Sequence, residues 1–527
     1  MLAHVLTPRL RGHTRAHTVA SMTPSPLYSQ RVSTMPSIRA AAGLLLTAGF
    51  ACTTPLSLGA QAPPHHDPAA LAIVDTAIAR MGGLDALRAI RTVRYSLVTQ
   101  WLTTSFDPRP FTDAPSYELS TDMRDYVSRT WHNERRFPNG DKWTAMTDLV
   151  TDTIAARYSE TPLPSVANAG RTIDHWTALN VAYVDERHEL FAFTPDRLLL
   201  LLRDARDLRR YHDTTIGGEA ETAVSATIDQ YPTTVFFRRG DGFLTMARYQ
   251  ADESNDFGLA PWGPMSVEEW YSVWRYDSVA NVRSPSEWDI VRVGKPYKRM
   301  TILSVTYNPS LPADSLVLGD SIRAEYLAHA RRPMADLPLT RAHLAAGGRI
   351  AVFATPGAPI AAVKVGRDWL LLEPGNLPLN AERAAAWLAA TDSGGKVVGA
   401  ILGTAFPSGG ASWVAKQRLP VYVSPAGAVG DSVSLRNYGA PLAALRPIAR
   451  GQWIKPTHEA RDSVWIEQID VPNLQGALFV YVPSLRWAYS SAASERAQFT
   501  AIAERLRARG WKVDVVGSPR SPVGVEP

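Results

Sequence analysis

The sequence predicts an α+β protein with two domains behind an export signal. Three observations support this prediction. The chain has 527 residues, which is too long for one ordinary hydrophobic core. Apolar and polar residues alternate with period two over much of 92–307, and strands alternate with helices beyond residue 340. We therefore expect a targeting segment at 1–62, a curved β-sheet domain at 66–335 and a second α/β domain at 341–527.

Residues 1–62 have the pattern of a targeting segment. Arg39 opens a short apolar run, and Ala60-Gln61-Ala62 follows it. A basic start, an apolar middle and a small-residue exit are typical of a secretory signal peptide, and the run is too short to span a bilayer. We expect Met35 to be the true start and cleavage to release a periplasmic or secreted chain without a transmembrane span. Lipidation at Cys52 and a retained anchor are the alternatives.

Charge and cysteine content exclude several classes of function. The chain has 55 basic and 50 acidic residues, and the five arginines of residues 1–62 account for the difference. A neutral mature chain lacks the electrostatic footprint of a nucleic-acid-binding protein, so we expect no nucleic-acid partner. The single cysteine, Cys52, lies in the targeting segment. We therefore expect no disulfide, thiol nucleophile or cysteine-ligated metal in the folded part.

The first domain opens on a helix and continues as strands. Asp67 as N-cap, Pro68 in the first turn and Gly82-Gly83 at the end predict a helix to Met81. A long helical stretch is predicted at 184–210, and the Arg-Gly-Asp-Gly sequence at 239–242 predicts a hairpin. Strands are predicted at 92–103, 116–121, 126–134, 233–238, 243–249, 270–276, 288–293 and 300–307.

This layout resembles the periplasmic lipoprotein-carrier proteins and their outer-membrane-sorting relatives. The resemblance includes the segment at the end of the predicted sheet, from Gly294-Lys295-Pro296 to the Asn-Pro-Ser-Leu-Pro of 308–312. It implies a curved antiparallel half-barrel with helices, and a groove for an apolar ligand such as a lipid or acyl chain. The alternative is that the aromatic side chains of the sheet fill its own core.

Three of the histidines of the first domain are predicted, by their spacing, not to be metal ligands. His175, His188 and His212 are separated by 13 and 24 residues, so they form no H-x-H or H-x-x-x-H pair. We expect each of them to be hydrogen-bonded or exposed to solvent.

The second domain alternates strands and helices. Strands are predicted at 349–355, 361–365, 369–372, 396–402, 420–423, 464–469, 477–482, 487–489 and 512–516, and helices at 380–390, 410–416 and 494–509. The order resembles the metallo-β-lactamase fold, an αββα sandwich. The phrases that carry this resemblance are Arg-Asp-Trp-Leu-Leu-Leu-Glu-Pro at 367–374, the strand from 396 followed by Ser-Gly-Gly at 408–410, and Gly-Ala-Leu-Phe-Val-Tyr-Val-Pro at 476–483.

The resemblance implies zinc ligands at positions where this sequence has none. The H-x-H-x-D-H motif of the family falls on residues 404–408, which run from Thr404 to Ser408 without a histidine or an aspartate. The later ligand positions fall near Asn473, Ser491 and Ser518. The family's hydrolysis depends on zinc, which lowers the pKa of bound water to about 7. We therefore expect no metal, no cofactor and no catalytic residue here, and interpret these five positions as a degenerate pocket.

Ser408, one of these five positions, and Glu373, which lies near them, are the remaining candidates for catalysis. Ser408 lies in a turn flanked by glycine but lacks the G-x-S-x-G elbow of serine hydrolases, which favours a plain turn serine. Glu373 is an unpaired carboxylate, and a single carboxylate is more typical of a loop than of acid–base catalysis.

The sequence favours an exported, non-catalytic binding or scaffold protein that holds an unidentified small or apolar ligand. A component of the cell envelope is the candidate partner. Two alternatives remain. One is a metallo-β-lactamase-fold hydrolase with an atypical metal site, and the other is a periplasmic lipid or lipoprotein carrier.

Overall fold

The fold is mixed α and β, dominated by antiparallel sheets, with one large curved sheet and two further sheets. The computed structural model describes residues 67–102, 116–139, 142–160, 172–173, 175–310, 317–355, 359–455, 462–471, 474–493, 496–519, 521–522 and 524. These residues belong to one compact unit. The predicted targeting segment at 1–62 and the candidate position Asn473 lie outside the described residues.

Ten α-helices lie in the described part of the chain. They are α1 (Pro68–Met81), α2 (Leu84–Ala89), α3 (Ala182–Asp185), α4 (Arg187–Phe191), α5 (Pro195–Asp204), α6 (Asp320–Glu325), α7 (Pro378–Thr391), α8 (Gly409–Lys416), α9 (Pro425–Asn437) and α10 (Arg496–Ala508). A π-helical turn spans Tyr326–Ala330, and short 3-10 helices span Ala260–Trp262, Met334–Asp336, Leu442–Ala444 and Pro483–Leu485. None of these helices has the length and apolar content that a bilayer crossing needs.

The first helix confirms its predicted start and end. The Asp67 side chain accepts hydrogen bonds from the first backbone N–H groups of α1, and Gly82 ends the helix at φ 129°. A Cβ at Gly82 would lie 2.0 Å from the carbonyl oxygen of Asn281. Glycine is therefore required here, both for its positive φ and for the close approach of the turn that contains Asn281.

The large sheet contains fifteen strands, all paired antiparallel. They are β1 (Thr92–Trp101), β2 (Ser116–Asp125), β3 (Thr130–Asn139), β4 (Lys142–Val150), β5 (Ala155–Ser159), β6 (Thr172–Ile173), β7 (Trp176–Ala178), β8 (Arg209–Arg210), β9 (Thr214–Ile216), β10 (Glu219–Ile228), β11 (Tyr231–Arg238), β12 (Leu244–Ala251), β13 (Met265–Asp277), β14 (Val282–Arg292) and β15 (Lys295–Tyr307). Their order is β6-β7-β5-β4-β3-β2-β1-β15-β14-β13-β12-β11-β10-β8, with β9 also paired to β10. The hairpin predicted at 239–242 joins β11 to β12 and is confirmed.

The two ends of this sheet have different chemistry. Over β10–β14 most of the buried side chains are apolar, although Glu269 and Arg292 are also buried. The apolar side chains share one buried core with α1 and α5, which includes Val235, Tyr249, Ile78 and Leu202. Over β2–β5 a polar row crosses the sheet instead, because Asp122 pairs with Asn133, Asn133 with Asp148, and Asp148 with Arg157. The sheet therefore has an apolar half covered by helices and a polar half.

Two predictions for this domain were wrong in detail. The helix predicted at 184–210 is three short helices, α3, α4 and α5. Thr194 is extended because proline disfavours helical backbone in the residue before it. The strand predicted from 126 begins at Thr130, because the Asp125 side chain accepts hydrogen bonds from the backbone N–H groups of Val127 and Ser128 and closes a turn.

The C-terminal part contains a seven-stranded and a five-stranded sheet. The first is β16 (Thr340–Ala345), β17 (Ile350–Ala354), β18 (Ile360–Val365), β19 (Asp368–Leu372), β20 (Val397–Ile401), β21 (Val421–Val423) and β22 (Leu445–Pro447), in sequential order. The second is β23 (Gln452–Ile454), β24 (Val464–Val471), β25 (Leu474–Val482), β26 (Trp487–Tyr489) and β27 (Val515–Gly517), also in order. The pairs from β19 to β22, and β26 with β27, are parallel.

One buried core is shared by these two sheets. It includes Val363 and Leu370 of the first sheet with Val480 and Trp487 of the second. Separate buried clusters hold α7 and α8 on the first sheet and α10 on the second. Glu373 and Gly403, which follow β19 and β20, and Ser491, which follows β26, are hydrogen-bonded to one another, and the predicted degenerate pocket lies there.

Helix α9 was not predicted from the sequence. Two glycines and three serines lie within or next to its thirteen residues, and glycine costs about 1 kcal/mol relative to alanine in a helix. The signals that were available are Pro425 in the first turn and Ser424 as N-cap, whose hydroxyl accepts from the N–H of Gly427. The helix matters because it carries Asp431 to the candidate pocket.

Candidate functional site

A cavity of about 160 Å³ opens on the polar half of the curved sheet. Aromatic rings of Trp101, Trp131 and Tyr183 form part of its wall. The charged side chains of the wall are Arg124, Arg135, Arg157 and Lys298, and Glu118, Asp122, Asp148, Glu186 and Glu189. The cavity therefore presents near-balanced charge rather than an apolar surface.

Ion pairs neutralise most of this charge. Arg124 binds both carboxylate oxygens of Asp122, at 2.8 and 2.9 Å. Arg135 lies 3.2 Å from Glu118 and 3.2 Å from Asp148. Burial by itself would raise the pKa of Asp148, but the charges of Arg135 and Arg157 bring it below its usual value. Asp148 therefore remains ionised at neutral pH.

Three buried polar atoms in the cavity wall have no hydrogen-bond partner among the described residues. They are Trp131 Nε1, Asn133 Oδ1 and Arg135 Nε. The three residues alternate along β3, so their side chains lie on one face of the sheet. Each unsatisfied buried group costs about 1–3 kcal/mol. Two donors and one acceptor in residues of the cavity wall are thus unsatisfied by the described part of the chain.

A second polar cluster adjoins this cavity, around α4. Glu189 is paired with Arg292 and lies 3.6 Å from Lys298. Burial opposes ionisation of Glu189, but the Arg292 charge lowers its pKa to about 2. Glu253 has no comparable partner, and burial raises its pKa to about 7.

His188 is hydrogen-bonded, as expected, but at one ring nitrogen: its Nδ1 lies 3.1 Å from the backbone carbonyl oxygen of Asp185. His188 is 1% exposed, and its Nε2 has no hydrogen-bond partner within the described ranges. His175 and His212 are exposed, as expected. The spacing of the histidines did not identify the cluster around His188, because its other members, Glu189 and Glu253, are carboxylates. Glu253 follows β12 and is distant from His188 in the sequence.

The predicted degenerate pocket of the C-terminal part is built around Glu373, the residue after β19. One oxygen of its carboxylate accepts hydrogen bonds from Gly403 N and from Ser491 Oγ. Burial raises the pKa of Glu373, although these donors partly oppose the rise. A Cβ at Gly403 would lie 2.3 Å from Ser491 Oγ, so little space remains between these residues.

A second acid of this pocket lies on α9. Asp431 has no exposed surface, and its Oδ1 accepts from the N–H of Ser408 at 3.2 Å. Burial, with a contribution from the Glu373 charge, raises the pKa of Asp431 well above its usual value. Its Oδ2 and the hydroxyl of Tyr489 are buried without a hydrogen-bond partner in the described part. Burial therefore disfavours ionisation of both acids in this cluster.

The remaining predicted positions make local contacts. Ser408 Oγ donates to the carbonyl oxygen of Gly375 at 2.7 Å, as expected of a turn serine. Thr404 Oγ1 accepts from Phe406 N at 3.3 Å. Ser518 is buried and its hydroxyl accepts from Ser521 N at 3.4 Å. The structure thus brings Ser491 to Glu373 and Ser408 to Asp431, and Asn473 lies outside the described residues.

A loop of the large sheet, residues 257–263, packs against this pocket. Its backbone carbonyl oxygens accept hydrogen bonds from Asn376 Nδ2 at 3.0 Å, Tyr438 OH at 2.6 Å, Ser434 Oγ at 2.5 Å and Asn437 Nδ2 at 2.8 Å. Trp262 of this loop has no exposed surface. A Cβ on Gly430 of α9 would lie 3.7 Å from its ring and 3.6 Å from the oxygen of Ala405. The loop therefore covers the pocket from the side of α9.

The residues of the cavity were missed by sequence analysis. Trp131 and Asn133 lie in the strand predicted at 126–134, and Arg135 follows its predicted end. Inward-facing strand positions are expected to be apolar, and these positions are polar or only partly apolar. The available signal was a run of charged or amide residues at every second position of neighbouring strands, as in Asp122 with Arg124 on β2.

No protein-family model matches this chain, and no curated protein matches it. Among solved structures it is similar to an outer membrane lipoprotein-sorting protein domain from Vibrio parahaemolyticus, at 9% identity over 47% of this chain and 95% of that chain, with a TM-score of 0.29. It is also similar to a LolA superfamily protein from Nitrosomonas europaea, at 10% identity over 48% of this chain and 98% of that chain, with a TM-score of 0.28.

The third similar structure is a metallo-β-lactamase from Pontibacter korlensis, at 15% identity over 35% of this chain and 90% of that chain, with a TM-score of 0.27. Both kinds of protein that the sequence resembles are thus found among similar solved structures. Likenesses at these identities and TM-scores assign no ligand and no activity to this chain.

Proposed function

We propose that this chain is an exported two-domain binding protein that holds a small polar ligand in the cavity of its curved sheet. In this proposal the sheet is a half-barrel, and the C-terminal αββα sandwich is a non-catalytic scaffold. The observation that carries the proposal is the set of three buried atoms without partners, Trp131 Nε1, Asn133 Oδ1 and Arg135 Nε, in the wall of one cavity. A ligand that accepts two hydrogen bonds and donates one would satisfy all three.

The wall determines the ligand chemistry that we propose. Arginines and carboxylates of the wall already pair with each other, so a strongly charged ligand would have to break a buried pair, at about 3–5 kcal/mol. An acyl chain would leave the polar wall desolvated without compensation. A neutral molecule with several hydroxyl or amide groups, such as a monosaccharide, can bond to Asn133 and stack on Trp101 or Trp131. The proposed ligand is therefore polar, which revises the apolar ligand expected from the sequence.

The scaffold role rests on the state of the C-terminal pocket. Glu373 and Asp431 have raised pKa values, and their described contacts are to a serine or backbone N–H rather than to a cation. Residues 257–263 cover the pocket. Acids whose ionisation is disfavoured by burial, in a pocket against which a loop is packed, are poor nucleophiles and poor ligands for a metal that would activate water.

The cavity is tested by ligand binding. The purified chain is screened by thermal shift and calorimetry against monosaccharides, amino sugars and small amides. We expect at least one neutral hydroxylated compound to bind, and Asn133→Leu to abolish binding while the chain stays folded. The matched control is Glu134→Gln, because Glu134 is the exposed next residue of β3.

Two results would contradict the proposal. One is the absence of binding by any compound of the screen. The other is stoichiometric lipid recovered by organic extraction and mass spectrometry, which would favour the carrier alternative. Chelator-sensitive hydrolysis that is lost in Glu373→Gln would instead contradict the scaffold role and favour the hydrolase.

A further inference from the structure

We propose that His188, Glu189 and Glu253 bind a divalent transition-metal ion, with zinc as the best fit, next to the cavity of the curved sheet. One ligand atom from each residue lies within 4.8 Å of those of the other two. All three residues are at most 6% exposed. Donors about 2.0–2.2 Å from one zinc ion are separated by roughly 3–4 Å, so side-chain rotations without backbone movement complete the site. This inference goes beyond the proposed ligand cavity and does not depend on it.

His188 is oriented as a metal ligand. Its Nδ1 lies 3.1 Å from the backbone carbonyl oxygen of Asp185, which can only accept a hydrogen bond. The ring proton is therefore on Nδ1, and Nε2 carries the lone pair. A histidine ligand is commonly fixed in this way by a carbonyl on its other nitrogen. Burial also lowers the pKa of His188, so the ring is neutral and its lone pair is free to bind a cation.

The charge of the surroundings favours a cation. Four carboxylates interact within the cluster, Glu186, Glu189, Glu253 and Asp256. The cations that face them are Arg292 and Lys298. A divalent ion at the three ligand atoms would add positive charge to a cluster in which carboxylates outnumber the facing cations. Glu253 Oε1 is buried without a hydrogen-bond partner in the described part of the chain, so it is available to that ion.

The donor types select the metal. One imidazole nitrogen and two carboxylate oxygens are typical of zinc and manganese sites, and no thiolate is present to favour softer ions. Glu189 keeps its contacts with Arg292 and Lys298 and uses a remaining lone pair for the ion. Since Glu189 also lines the cavity, a fourth position on the metal would face the proposed ligand.

The test measures metal directly. The purified chain is stripped with a chelator and dialysed against zinc, manganese or cobalt, and bound metal is counted by elemental analysis. We expect about one zinc ion per chain, and cobalt to give the visible absorption of a site with nitrogen and oxygen ligands. His188→Ala and Glu253→Gln should each weaken zinc binding by at least roughly 100-fold, more than loss of an outer-shell partner does.

The controls separate this site from a surface histidine and from a misfolded chain. His212→Ala removes an exposed histidine of the same domain and should leave zinc binding unchanged. Because His188→Ala opens a buried space, Glu253→Gln, which keeps the side-chain shape, decides the outcome if the first variant unfolds. No binding of any of the three metals, or zinc binding that Glu253→Gln retains, would overturn the proposal. The second result would mean that Glu253 is not a ligand of the bound ion.

Discussion

The two polar sites of this molecule bury carboxylates in opposite ways. In the cavity of the curved sheet, Asp148 is paired with Arg135 and Arg157 and has a lowered pKa. In the C-terminal pocket, Asp431 accepts one backbone hydrogen bond, has no cation among its described contacts, and has a strongly raised pKa. A paired, ionised site keeps hydrogen-bonding groups fixed for a ligand, whereas a protonated and covered site holds the fold together. Burial of an acid therefore does not by itself mark a functional site.

The largest effect is expected from opening the covered site. Trp262→Ala removes a fully buried ring from between the 257–263 loop and α9, which should lower the free energy of unfolding by about 3–5 kcal/mol. Backbone amides near Asp431 should then exchange with solvent faster, while those of β3 keep their rates. The measurement is denaturant unfolding combined with hydrogen exchange. Trp143→Ala, which truncates a ring that is 52% exposed, is the matched control, and equal losses in both variants would show that the loop does not close the pocket.

A pair of identical substitutions compares the two acids directly. Asp148→Asn leaves Arg135 and Arg157 without their shared charge and should cost about 3 kcal/mol. Asp431→Asn replaces a carboxyl that is already neutral and should change stability by less than about 1 kcal/mol. Urea unfolding of both variants beside the parent chain measures this. If the two costs are equal, the difference in ionisation that we infer is wrong.

The same pair has opposite pH dependence. Because the pKa of Asp148 is lowered in the folded state, its stabilisation is present above the unfolded value of about 3.9 and is lost as pH falls through the folded value. The cost of Asp148→Asn should therefore shrink in acid. The pKa of Asp431 is raised, so its stabilisation is present below about 3.9 and is lost as pH rises through the folded value. Asp431→Asn should therefore gain stability relative to the parent chain as pH rises above about 3.9. Unfolding midpoints at several pH values test both signs, and parallel curves for the two variants would contradict them.

The sequence predicted the fold better than it predicted the sites. Local signals were sufficient where they act through neighbours in the chain, as for Asp67 and Gly82 at the ends of α1 or the turn between β11 and β12. The cavity was missed because Asn133 and Asp148 become neighbours only through the register of separate strands. His188 was judged by its spacing to other histidines, although Glu253 approaches it from beyond β12. The pocket acid Asp431 was missed with its helix, because glycines at 427 and 430 weaken the helical pattern.

The smallest effect is expected from removing the hydrogen bond that Ser491 donates to Glu373 in the C-terminal pocket. Ser491→Ala removes the hydroxyl that donates to Glu373 Oε1, which should cost about 1 kcal/mol. Because that hydrogen bond lowers the pKa of Glu373 against the effect of burial, its loss should move the pKa further upward. Carboxyl-region infrared or NMR titration of the variant reads this shift. Ser304→Ala, at an exposed serine of β15, controls for the loss of a hydroxyl. An unchanged titration of Glu373 in Ser491→Ala would mean that Gly403 N alone sets its ionisation. Ser491 would then have no effect on the ionisation of Glu373, whereas the charge of Arg135 in the cavity lowers the pKa of Asp148.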